Sequence, residues 1–202
     1  MCPLRPTCRC LFESAALEGG RARPNEVHKQ YPDGHCEREA VSQYSPGPVC
    51  NNEILTRMLV HPIHFDTQTG LVSPLAFADA VNLDLSVFRE QNASDSEIQL
   101  AIDEIRKTGA SKVPKQERIV TLVMQAQAAK VRNCTFEDDK SRMCFVYDTA
   151  TYDKPNHASV FTPERATKKG GREVRRALLK LFSENRILPD NYRTLIYEGV
   201  AD

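Results

Sequence analysis

The sequence predicts an α+β fold: an antiparallel or mixed sheet with two amphipathic helices, preceded by an irregular, Cys-rich N-terminal segment. Three observations predict it. Short runs of strand composition recur from residue 53 onward, two segments carry helical spacing of apolar residues, and residues 1–50 mix Cys, Gly, Pro, Arg and Glu without sustained periodicity. The chain divides accordingly into residues 1–50, ending in the breaker cluster YSPGPVC, and an α+β domain over residues 51–202. Both helices are expected on one face of the sheet.

Taken in order, EILTRMLV (53–60) suits a strand or a short helix, and DTQTG (66–70) is a turn. LVSPLAF (71–77) has strand composition, with Pro74 confining it to an edge or a bulge. LSVF (85–88) alternates, with Leu85 and Val87 on one face and Ser86 and Phe88 on the other. SDSEIQLAIDEIRKTG is a helix with full punctuation. Ser94 caps it, Glu97 completes a capping box, Ile98, Ala101, Ile102 and Ile105 share a face, and Gly109 is expected to end it. After the polar loop TGASKVPKQE comes RIVTLVMQ, a β-branched strand running into the helix-prone MQAQAAKVR. MCFVYD and HASVF are short strands around the turn-rich TATYDKPN. REVRRALLKLFSEN places Val174, Ala177, Leu178, Leu181 and Phe182 at helical spacing.

Among its 202 residues, acids and bases balance at 27 each, which argues against wholesale nucleic-acid or anionic-membrane binding by net charge. The charge is unevenly spread: residues 164–182 hold seven bases and two acids. The longest apolar run, IVTLVM, is too short to cross a bilayer, and the N-terminus lacks the apolar core of an export signal. The expectation is a cytoplasmic protein without membrane contact, whose seven cysteines do not form a disulfide framework.

From Glu53 onward, the order EILTRMLVHPIHF, GLVSPLAF, LSVFR and a PNHASV strand followed by a basic helix resembles a family of small bacterial proteins of unknown function. The resemblance implies a bacterial, cytoplasmic α+β unit and no activity. It does not reach residues 1–50.

That N-terminal segment needs a staple, since so short and polar a stretch cannot build its own core. Structural zinc is the staple expected here, because thiolates and imidazoles are its usual ligands. The candidate set is Cys8, Cys10, Cys36 and Cys50, with His35 as an alternative to Cys50, and Cys2 and His28 as spares. The alternative is reduced cysteines, with Cys36 and Cys50 packed as small hydrophobes. Cys144, in an apolar strand, reads as core.

Three further groups carry possible chemistry. HPIHFD brings His61, His64 and Asp66 together, although on a strand the two histidines face opposite sides, and an ordinary strand end with a turn is preferred. Arg57 and Arg89 sit in otherwise apolar strands and, with His157, could hold a phosphate or nucleotide; structural ion pairs with Glu53, Glu90 or Asp148 are the preferred reading. In ATKKGGREVRR, Gly170, Gly171, Arg172, Arg175 and Arg176 could form an anion site at a helix start, against the preferred reading of a solvated basic face.

Two functions follow. The favoured one is a binding or accessory protein with structural zinc, contacting a protein or nucleic acid through the basic segment at 165–180. The alternative is a nucleotide- or nucleic-acid-processing enzyme, a nuclease or transferase, using His157 or His61 with Arg57 and Arg89. It requires those residues to converge in one cleft.

Overall fold

The computed structural model describes residues 6–17, 23–111, 115, 117–163, 168–188 and 191–192. Cys2, parts of the 108–117 loop and residues 165–167 of the basic segment lie outside them. The fold is α+β. An antiparallel six-stranded sheet in the order β6-β7-β4-β1-β5-β8 is built from β1 (Ile54–His61), β4 (Leu85–Arg89), β5 (Ile119–Gln127), β6 (Phe145–Asp148), β7 (His157–Phe161) and β8 (Asn185–Ile187). A separate two-stranded ribbon pairs β2 (Phe65–Asp66) with β3 (Leu71–Val72).

The two long helices, α4 (Asp95–Ala110) and α6 (Lys168–Phe182), cover opposite faces of the sheet, not the single face expected. Ile98 and Ile102 of α4 pack on Met58, Phe88 and Val123. Val174, Leu178 and Phe182 of α6 pack on the face formed by Leu55, Leu59, Leu85 and Val87. Topology supplies the reason. β4 and β5 both run antiparallel to β1, so α4 connects two parallel strands; by the same counting α6 connects parallel β7 and β8. Both crossovers step toward the same edge of the sheet, but β7 runs antiparallel to β4. Crossovers of one hand must then pass over opposite faces, as the strong preference for right-handed connections demands. With both faces covered, β1 and β6 are almost continuously buried, and a simple alternation of polar and apolar residues is lost.

Local chemistry sets the boundaries. Pro74 opens a 3₁₀ turn (Pro74–Phe77), not an edge strand, because the Ser73 hydroxyl accepts from the Leu75 N–H and proline suits the first helical position. The turn leads into the short α3 (Asp79–Asn82). The capping box of α4 is complete, but the helix runs through Gly109 to Ala110. β5 keeps the helix-prone Gln125–Gln127 in register with Ile54–Thr56, and the chain turns into α5 (Ala128–Arg132) where the Ala128 and Ala129 N–H groups donate to the carbonyls of Glu53 and Asn51.

Residues 6–50 contribute no strand among the described residues. The described ones are irregular apart from α1 (Cys8–Leu17), α2 (Arg23–Gln30) and a 3₁₀ turn (His35–Arg38). Cys8, Phe12, Val27, Cys36 and Val41 pack on the stacked rings of Phe145, Tyr147 and Phe161, on the same sheet face as α4. Buried Glu37 fastens this layer, accepting from Arg132, Arg142 and the Val146 N–H. Gly34 fits above it with φ of 74°, where a Cβ would come within 2.8 Å of the Glu37 carboxylate.

Candidate active site

The site begins with a break in the sheet. β1 and β4 pair at Leu55↔Arg89 and Thr56↔Phe88, and there the pairing stops. The Arg57 guanidinium takes over, donating to the Ser86 carbonyl at 2.9 Å and the Ala76 carbonyl at 3.3 Å, with Asp79 at 3.8 Å. Beside this break, on the α4 face, lies a cleft of about 250 Å³. Its floor includes Thr56, Met58, Ser86, Phe88 and His157, its wall Ala101, Glu104, Ile105 and Thr108 of α4, and its rim Arg118 and Lys154.

Ser86 and His157 meet there because of strand register. β4 and β7 pair Ser86 with Ser159 and Phe88 with His157, so Ser86 and His157 are diagonal neighbours on one face, within reach of a long ring. Ser86 Oγ lies 2.6 Å from His157 Nε2. Behind the ring, Nδ1 lies 2.9 Å from Thr149 Oγ1 and 3.3 Å from the Thr149 carbonyl. Thr149 Oγ1 is 2.8 Å from Ser159 Oγ, which donates to the Asp84 carboxylate at 2.9 Å.

The end of this chain fixes the protons along it. A carboxylate only accepts, so Ser159 spends its proton on Asp84 and accepts from Thr149. Thr149 therefore accepts from His157, whose Nδ1 carries the hydrogen; the neighbouring carbonyl, another pure acceptor, requires the same. Nε2 is left with its lone pair toward the Ser86 hydroxyl. Burial holds the imidazole below its ordinary pKa, opposed by the Asp84 charge and the Thr149 carbonyl, with Lys154 and Arg57 adding to the lowering. The arrangement is a hydroxyl, a neutral base and a carboxylate-anchored relay that orients the base.

The cleft is electropositive. Its lining holds three cations, Arg57, Arg118 and Lys154, and one carboxylate, Glu104, which pairs with Lys154 at 2.7 Å, while Asp79 outside the lining approaches Arg57 at 3.8 Å. Arg118 Nε is buried without a hydrogen-bond partner. His64 registers the same field: burial, then Arg57 and Arg118, lower its pKa to about 4.

Of the residues singled out in sequence, Arg57 and His157 thus converge in the cleft. Arg89 does not. It is buried in a two-pronged pair with Glu53, 2.6 and 2.7 Å, with Asp148 at 3.9 Å, and it donates to the Gly47 and Pro48 carbonyls. His61 sits at the end of β1, its Nδ1 3.1 Å from the Phe65 carbonyl, while His64 Nδ1 accepts from the Val60 N–H; neither joins a metal-type cluster among the described residues.

The cysteines are arranged differently from a four-thiolate site. Cys8 and Cys36 form a disulfide, so this pair departs from the expected reduced state. Cys10 and Cys50 are exposed, and Cys144 is core. Among the described residues, one group has metal-type geometry, Cys8, His35 and Glu39, with their ligand atoms within 4.8 Å of one another. In the basic segment, Gly170 and Gly171 lie inside α6, which begins at Lys168, and do not form a loop before it. Lys169 pairs with Asp138, and Glu173 accepts from the Glu137 N–H, so acids intersperse the face that carries Arg172, Arg175 and Arg176.

Ser86, Thr149, Ser159, Asp84 and Arg118 join this arrangement without having been singled out in the sequence. The signal within reach was a serine and a histidine at the ends of two short alternating strands; their pairing was not legible. The fold and site define an α+β protein with a hydroxyl–imidazole relay at the floor of a cationic cleft. Comparison with known proteins finds no matching family model, no similar curated protein and no similar solved structure.

Proposed function

We propose that this protein is a hydrolase or group-transfer enzyme acting on a small ester that carries negative charge, with Ser86 as nucleophile and His157 as general base. The observation that carries this reading is the unidirectional chain Ser86–His157–Thr149–Ser159–Asp84, which presents an unprotonated Nε2 at 2.6 Å from a hydroxyl. Ser86 Oγ attacks the ester carbon as its proton passes to Nε2. The resulting imidazolium keeps its Nδ1–H on Thr149 and is stabilised through the relay by Asp84. It then gives its proton to the departing alkoxide, and water, activated by the same base, releases the product from Ser86. Arg118 and Lys154 attract and orient the anionic part of the substrate.

A panel of anionic and neutral chromogenic esters, together with labelling by a fluorophosphonate, tests this. Ser86→Ala and His157→Gln are expected to lower kcat/KM by at least about 1,000-fold, as loss of a nucleophile or its base does elsewhere. Arg118→Gln should raise KM for the anionic ester and leave the neutral one little changed. Undiminished turnover in Ser86→Ala, or label attached away from Ser86, would remove the proposal.

A further inference from the structure

The Cys8–Cys36 disulfide sits directly on the Cys8, His35 and Glu39 cluster. We propose that this disulfide is a redox gate: reduction opens a site for one zinc ion, held by Cys8, Cys36, His35 and Glu39.

The positions come from two short stretches of chain. His35 and Cys36 begin the 3₁₀ turn and Glu39 is its C-terminal cap, with His35 Nε2 and Glu39 Oε1 2.8 Å apart. Cys8 is the first residue of α1, at the positive end of a helix dipole, which favours a thiolate. The sulfurs lie at the back of the site, where Cys8 and Cys36 are buried. The His35 and Glu39 side chains are 42% and 43% exposed, leaving the front open to an entering ion. Tyr31 stacks on the His35 ring at 5.1 Å and orients it.

In the disulfide, both sulfurs are uncharged and bonded to each other, so the anionic soft donors a cation needs are missing. A dithiol reductant breaks the S–S bond by exchange, leaving two protein thiols and one new disulfide on the reductant. Zinc binding then releases both thiol protons and completes a donor set of two thiolates, one imidazole and one carboxylate, which suits tetrahedral zinc. In either state a single link ties α1 to the turn. The segment packed on Phe145, Tyr147 and Phe161 therefore stays stapled in oxidising and reducing surroundings alike.

Zinc titration of the full-length protein against a chelating dye, oxidised and after anaerobic reduction with a phosphine, tests the gate. In the phosphine reaction, water supplies the oxygen of the phosphine oxide and the protons of the two thiols. The reduced protein is expected to bind about one equivalent of zinc, at least about 100-fold more tightly than the oxidised protein, with proton release. Cys8→Ser should abolish this binding. Glu39→Gln should weaken it by about 10-fold or more while leaving the melting temperature of the oxidised protein unchanged, which shows that the variant folds. A Cys10→Ser, Cys50→Ser double variant should bind as wild type. Equal affinity in both redox states, or loss of zinc in the double variant with retention in Glu39→Gln, would overturn the proposal.

Discussion

Asp148 shows how much one buried side chain can set. It sits beside Arg89, whose guanidinium is already committed to Glu53, and burial therefore wins: the carboxyl is pushed up to about 6, with the Ser45 and Arg89 contacts pulling the other way. A carboxyl whose folded pKa is raised holds its proton more tightly in the native state, so its contribution to stability falls as pH rises through the window from about 4 to about 6. Asp148→Asn removes that cost. The variant should be more stable than wild type at pH 7.5, by on the order of 2 kcal/mol, and the gain should fade as pH falls from about 6 to about 4, below which Asp148 is protonated in the folded and unfolded states alike. Melting curves of the two proteins across this range check it; a gain that is constant with pH would show that ionisation of Asp148 is not its source. Taking the difference between the proteins isolates Asp148 from His64, whose lowered pKa gives a slope of opposite sign. Arg89 itself was legible in sequence as a charge among apolar residues, and a structural ion pair was the preferred reading. The raised pKa of Asp148 was not, because burial of a polar strand residue depends on what covers the sheet.

At the scale of the element, α4 is where local sequence and tertiary role coincide. Ser94 and Glu97 form the capping box read from the sequence, yet the Glu97 carboxylate also accepts from the backbone N–H and the side-chain amide of Asn156, the residue before His157. The cap of a helix therefore positions the loop that leads into His157. Ser94→Ala should cost about 1 kcal/mol, the ordinary value of a cap. Glu97→Ala should cost more, about 2–4 kcal/mol, because it leaves the buried Asn156 N–H without a partner. Chemical denaturation measures both, and equal costs would show that the Asn156 contacts contribute nothing. The break between β1 and β4 makes the complementary point. Arg57 reads in sequence as a misplaced charge; in the fold it replaces the missing strand pairing and opens the cleft.

For the whole molecule, the N-terminal segment is part of the core, not an appendage. It covers Phe145, Tyr147 and Phe161, and it is closed by a disulfide spanning 28 residues. A loop of that length corresponds to about 3–4 kcal/mol of unfolded-state entropy in the chain-entropy description. A chain lacking residues 1–50 should lose cooperative melting and bind a hydrophobic dye, as three stacked aromatic side chains become exposed to water; an unchanged melting curve would show that the segment merely rests on the sheet.

The sequence by itself determined what depends on neighbours: the capping box of α4, the alternation of β4, the apolar stripe of α6 and the α+β class that these imply. It also marked Arg57 and His157 as charged or titratable groups in apolar surroundings. The tertiary structure alone decided that α4 and α6 take opposite faces, since crossover handedness acts on strand order, which no local pattern encodes. It alone decided that Ser86 meets His157 across 71 residues, and that Cys8 meets Cys36 in place of a four-cysteine site. In each case the deciding interaction is a pairing of distant strands or segments, set by burial of the shared core and not by the residues that end up side by side.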